Sequence, residues 1–137
     1  MSNFRTVLPL EKANFDINYQ SFILCIGSCF TENIGDLLIE NKFPTLLNPF
    51  GILYNPISIK NSLEILLSKE AYKTDDLFLH QDLWRSFDHH GAFAHPNKQQ
   101  GLATINAQLK EARTFLTQTK RLILTFGTAN IFIKKST

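Results

Sequence analysis

The chain lacks a strong charge of either sign. Its 14 Lys and Arg stand against 12 Asp and Glu for a formal charge of +2, and its basic residues are scattered apart from the Lys134-Lys135 pair. That excludes the basic footprint by which nucleic-acid-binding domains hold phosphates, so no nucleic-acid partner is expected. Long hydrophobic runs are absent too, and none approaches the ~20 residues of a membrane span. The polar start Met1-Ser2-Asn3-Phe4-Arg5 has no apolar stretch of a secretory signal, so a cytoplasmic chain without membrane contact is expected. Cysteine is scarce. Cys25 and Cys29 are spaced too far apart for a C-x-x-C redox pair, so both are expected to be reduced and unpaired. His80, His89, His90 and His95 do not fall at an H-x-x-x-H spacing, and neither a metal nor another cofactor is expected.

Apolar material is abundant. Hydrophobic residues make up 44% of the chain and include 12 phenylalanines, most beside aliphatic neighbours, which is enough for one globular core. Ser21-Phe22-Ile23-Leu24-Cys25-Ile26, closed by Gly27, reads as a strand buried on both faces, as in parallel sheets. Thr31 is placed to cap a helix over residues 32–40, with Ile34, Leu37, Leu38 and Asn41 on one face. Thr45-Leu46-Leu47 reads as a brief strand, followed by the turn-rich Asn48-Pro49-Phe50-Gly51. Pro56 opens a second helix, because a first-turn proline lacks only an amide that has no helical partner anyway.

Residues 75–96 hold neither a 2-residue nor a 3.6-residue period and read as an irregular excursion. A helix over residues 99–117 follows, with Leu102, Ile105, Asn106, Leu109, Ala112, Arg113 and Leu116 near one stripe. Arg121-Leu122-Ile123-Leu124-Thr125-Phe126, ending at Gly127, repeats the buried-strand pattern, and Ile131-Phe132-Ile133 alternates poorly. Strands separated by helices predict an α/β fold with a mainly parallel sheet: a partial three-layer α/β/α sandwich of flavodoxin-like type. About three strands are visible where a doubly wound domain commonly has about five or six. The chain therefore reads as a single domain over 1–137, cut short at its carboxyl end.

In such sheets ligands bind beyond the carboxyl ends of the strands. Gly27-Ser28-Cys29-Phe30 and Gly127-Thr128-Ala129-Asn130 both follow strand candidates. A serine between a buried strand and a helix lies close to amide N–H groups and the positive helix end, which suits acyl chemistry; it also suits a helix cap. Cys29 is a rival nucleophile at the same helix start, expected to pack inward if Ser28 faces the pocket.

Gly27-Ser28-Cys29-Phe30 with Glu32-Asn33-Ile34-Gly35 resembles the motif that names the GSCFA family, with Thr31 in place of its final alanine. The residues 48–56, then Leu83-Trp84-Arg85-Ser86 with Asp88-His89-His90, and finally Leu124-Thr125-Phe126-Gly127-Thr128-Ala129 look like further family segments in the right order, so the resemblance covers residues 22–132. It implies an SGNH-hydrolase-like fold, a serine nucleophile, glycine and asparagine oxyanion donors, and an aspartate and histidine near the carboxyl terminus. Carried over, Ser28 matches the nucleophile. Gly51 is the candidate oxyanion glycine, or a glycine needed only for a positive φ angle. Asn130 lies one place off the usual G-x-N spacing, which leaves Asn48 and Asn55 as alternative amide donors. No D-x-x-H motif occurs near the end of the chain, so the usual base has no matching position. His89 and His90 are candidates for the pocket, or are held by backbone and water, and Trp84 is a candidate pocket wall or core residue.

The resemblance implies an SGNH-type esterase or acyl transferase acting on a small-molecule or glycan ester, with a small acyl group. The alternatives are a non-catalytic module binding a carbohydrate or acyl group, and a scaffold associating through an open sheet edge.

Overall fold

The computed structural model describes residue 9, residues 11–131 and residue 133. Its centre is strand β1 (Ile23–Gly27), buried over its whole length. β1 pairs in parallel with β2 (Thr45–Leu47) on one edge and with β5 (Arg121–Thr125) on the other, giving the order β2-β1-β5. A strand hydrogen-bonded on both edges and covered on both faces has no wet side, which explains its unbroken apolar run.

Helix α1 (Cys29–Glu40) connects β1 to β2. The chain then forms α2 (Pro56–Ser68) and α3 (Lys98–Leu116) before returning past β1 as β5. Strand order therefore reverses at β1, which makes the carboxyl ends of β1 and β5 the place where an open α/β sheet offers a crevice. Leu24 and Ile26, on one face of β1, join a core with Ile59 and Leu66 of α2 and Ile105, Leu109 and Ala112 of α3. Alternation along the strand turns Ile23 and Cys25 to the opposite face, where α1 packs. The α/β fold with helices on both faces of a parallel sheet is thus present.

α1 starts earlier than the expected 32: Ser28 is its N-cap, and Thr31, expected as the cap, is a buried helix residue. Its buried stripe also differs. Thr31 and Gly35 are buried while Leu37 is 54% exposed, because the helix approaches the sheet over its smallest side chains. An added Cβ at Gly35 would stand 2.5 Å from Leu47 Cδ1. α2 begins at Pro56 as the sequence indicates, with Asn55 Oδ1 accepting from Ser58 N at 2.8 Å. The two polar members of the α3 stripe are explained by partners. Asn106 accepts from Tyr72 N at 2.7 Å and donates to Tyr72 O at 3.0 Å, and Arg113 donates to Lys69 O at 2.8 Å.

The expected irregular stretch over 75–96 contains an antiparallel hairpin, β3 (Phe78–His80) with β4 (Leu83–Arg85). Gln81 and Asp82 both take positive φ, the pattern of a type I′ turn, here without the Asn-Gly or Asp-Gly pair that would have announced it. Ile131 and Ile133 lie in no strand, and Phe132, Lys134 and Lys135 fall outside the described residues. No helix among the described residues is long and apolar enough to cross a membrane.

Gly27 sets the spacing between β1 and β5. A Cβ there would stand 2.6 Å from Thr125 Oγ1 and 2.8 Å from Thr125 N, at a φ of +156°. Gly27→Ala is expected to destabilise the protein by about 2 kcal/mol or more through overpacking and backbone distortion. Gly91→Ala, which meets nothing nearer than Arg85 Nη1 at 3.5 Å, should stay within about 0.5 kcal/mol of the parent. Urea unfolding of the pair checks the contrast.

Candidate active site

Ser28 occupies the N-cap position of α1, yet its side chain makes no capping hydrogen bond. Its Oγ lies 2.9 Å from Thr125 Oγ1, and its backbone N donates to the same oxygen at 3.1 Å. Thr31 Oγ1 is hydrogen-bonded to Thr125 Oγ1 as well. Register produces this cluster: Thr125 pairs with Gly27, whose missing side chain leaves room for the threonine hydroxyl. Thr125 Oγ1 accepts the Ser28 amide proton, so it has one proton and one lone pair left for the two hydroxyls. Ser28 is thereby held at the end of β1, only 5% exposed.

Asn48 follows β2 with a φ of 44° and is 8% exposed. Its backbone N donates to Cys25 O at 2.8 Å, and its Oδ1 accepts from Gly27 N at 2.9 Å. Its Nδ2 is buried with no hydrogen-bond partner among the described residues. A buried amide donor left open beside the Gly27-Ser28 step costs stability, and it is the kind of group that a developing oxyanion would satisfy. Gly51 differs. Its N donates to Asn48 O at 2.7 Å to close the turn, its φ is +76°, and an added Cβ would collide with His90 Cβ. The turn therefore uses both its amide and its conformational freedom.

Beyond the strand ends lies a cleft of about 380 Å³, bordered by the segment 52–55, the first turns of α2, the loop 87–91, Thr128 and Asn130. Asn130 is exposed there, its backbone N donating to Thr128 Oγ1 at 3.1 Å. His89 and His90 both border this cleft, but neither is hydrogen-bonded to Ser28 among the described residues. His90 caps a short 3₁₀ turn, its Nδ1 accepting from Ala92 N at 3.3 Å. Trp84 is not part of the cleft wall. It lies against the core through β4, pairs with His95 and carries the Lys98 ammonium 4.3 Å from its ring centre.

His89 sits among Phe50, Tyr72 and Phe93, with ring centres 5.1, 5.0 and 5.0 Å away. Burial in this aromatic box, helped by Lys69, pushes its pKa down from 6.5 to about 4. Tyr72 donates to Asp88 Oδ2 at 3.1 Å, and its own pKa is driven up by burial and by the Asp88 charge. Cys29 corrects an expectation: it is exposed on the first turn of α1, while Cys25 is the buried thiol, pushed up to about 11 by desolvation. No cluster of three or more His, Cys, Asp or Glu able to hold a metal occurs among the described residues.

Thr125 escaped sequence reasoning, and Thr31 was read only as a helix cap, because hydroxyls inside a strand and a helix carry no local signal of a shared site. The clue was register: two apolar runs that pair in parallel bring Thr125 opposite Gly27. The sequence matches the model of the GSCFA family over residues 22–137. No curated protein and no solved structure matches it.

The neutral His89 makes stability depend on pH. Its folded pKa lies below its unfolded value, so the unfolded chain binds more protons between the two. His89's contribution should be complete above about pH 6.5 and decline as pH falls towards 4. His89→Phe should flatten that part of the slope, as urea midpoints of both proteins from pH 4.5 to 7.5 would reveal.

Proposed function

Because the chain belongs to the GSCFA family, we propose that it acts as an SGNH-like serine hydrolase, an esterase or acyl transferase with Ser28 as nucleophile. Ser28 Oγ attacks the ester carbonyl, a bond forms from oxygen to the acyl carbon, and the alcohol departs with a proton. Water or a second alcohol then takes the acyl group from the serine. The observation that carries this reading is that Ser28 stands at a helix N-cap and does not cap. Its hydroxyl is instead fixed by Thr125 at the strand-order reversal, where α/β sheets place their ligands.

Asn48 is the amide donor best supported for the oxyanion, because its Nδ2 is buried and unpaired beside Gly27 while its Oδ1 is anchored. Gly51 is less well supported, its N–H being used by the turn. The reaction also needs a base for the serine proton. The aspartate and histidine of the SGNH pattern fill that role in the resemblance, and neither His89 nor His90 bonds Ser28 among the described residues.

One observation favours a second reading, a non-catalytic module that binds a carbohydrate or acyl group. Ser28 is almost fully buried, and its hydroxyl is engaged by Thr125 rather than by a base. Covalent chemistry separates the two. A fluorophosphonate should label the protein at Ser28, and Ser28→Ala should lower hydrolysis of p-nitrophenyl acetate at least about a thousandfold. An unlabelled Ser28 with no Ser28-dependent turnover would leave the binding reading.

The oxyanion assignment has its own test. Asn48→Asp keeps an acceptor for Gly27 N and tolerates the positive φ, but it loses the open donor. Its kcat should fall about a hundredfold or more with KM little changed.

A further inference from the structure

We propose that a second, smaller cavity, built on Arg85, binds a short-chain monocarboxylate independently of any chemistry at Ser28. Strand register supplies its first wall. In the β3–β4 hairpin Phe78 pairs with Arg85 and Leu79 with Trp84, so alternation puts Phe78 and Arg85 on one face while Trp84 lies against the core. Phe78 stacks on Phe87 with ring centres 4.1 Å apart. The chain that follows β4 adds the other walls, leaving a cavity of about 200 Å³ bordered by Phe78, Arg85, Ser86, His89, Phe93 and their neighbours. Ser28 does not border it, although Phe87, His89, His90 and Gly91 are shared with the strand-end cleft.

Arg85 brings a positive charge that no carboxylate among the described residues balances. It forms no ion pair there, and no Asp or Glu of those residues borders the cavity. Asp88, in the same loop, already accepts from the Tyr72 hydroxyl. The Arg85 Nε is sealed from water without a hydrogen-bond partner. A guanidinium packed in this way has lost solvent on one side and gained no anion in return, a cost that an arriving anion offsets. Its open end is Nη1. Beyond the chain neighbours of Gly91, that atom alone stands within 4 Å of where a Gly91 Cβ would be, at 3.5 Å, so the space in front of it is free.

The remaining groups select the ligand. Ser86 Oγ accepts from Asp88 N at 3.1 Å and keeps its proton to donate. His90, whose Nδ1 accepts from Ala92 N, carries its own proton on Nε2. Both suit a group that only accepts. His89 stays neutral in its aromatic box, so Arg85 is the one permanent cation on the cavity wall. A single guanidinium matches a single negative charge, and its planar fork fits the two oxygens of a carboxylate; the second charge of a phosphate would go unmet. Phe78, Phe93 and Ala94 supply apolar wall for a hydrocarbon stub. Size restricts that stub, since about 200 Å³ falls below the roughly 300 Å³ at which sites for drug-sized ligands begin. Propionate and butyrate meet all of these requirements.

Thermal unfolding in increasing sodium propionate or butyrate tests the site, with sodium chloride holding ionic strength constant and with propionamide and inorganic phosphate as controls. Both carboxylates should raise Tm along a saturating curve, as ligands of the native state do, and the controls should not. Arg85→Met should abolish the response without lowering the ligand-free Tm, because it removes a buried donor that had no partner. Gly91→Ala tests the same cavity with the guanidinium in place. Its methyl stands against Nη1 in a fold left otherwise intact, and the apparent affinity should fall at least about tenfold through loss of a charge-assisted hydrogen bond. Absence of a saturable rise with either carboxylate overturns the inference. So does an unchanged response in Gly91→Ala or in folded Arg85→Met, or a rise with propionamide or phosphate that equals the rise with the carboxylates.

Discussion

The parallel pairing of β5 with β1 is the constraint on which the site depends. It sets Thr125 against a glycine, and only a glycine lets a threonine hydroxyl enter the space at the strand end. From that one register follow the position of Ser28, the contact with Thr31 inside α1, and the closeness of the Gly127 segment to Tyr54. The pairing joins residues almost a hundred positions apart, so the site exists only after that long intervening stretch has closed on itself, with the loop entropy that this implies.

The legible part of the fold was the part governed by local pattern. β1, β2, α2, α3 and β5 announced themselves through apolar runs, a first-turn proline and a helical stripe, and the structure has each of them. α1 was found but misfaced: periodicity counts large apolar side chains, whereas close packing on Leu47 selected Thr31 and Gly35. The β3–β4 hairpin was missed because three-residue strands are too short to display alternation, and Gln81-Asp82 is an unusual pair for two successive positive φ angles.

The candidate site divides in the same way. Ser28 stood out as a serine at a strand end and Asn48 only as an alternative amide donor to Asn130, and both are buried at the sheet's carboxyl edge. What no local pattern conveys is which atoms are already engaged. Gly51, the candidate oxyanion glycine, has its amide engaged in closing a turn, and His89, a candidate for the pocket, packs among three aromatic rings. Trp84 stood open between pocket wall and core, and the unforeseen hairpin carried it to the core and to Lys98.

The unequal fates of the two cysteines give the protein a built-in reporter. Cys25 is sealed in the central strand with its thiol pushed up to about 11, so alkylating reagents have one addressable sulfur, at Cys29, in the residue next to Ser28. A single environment-sensitive dye attached there needs no engineered background, and it would sit on the first turn of the helix that begins at the candidate nucleophile. Occupancy of the strand-end crevice could then be followed optically, with no substrate turned over.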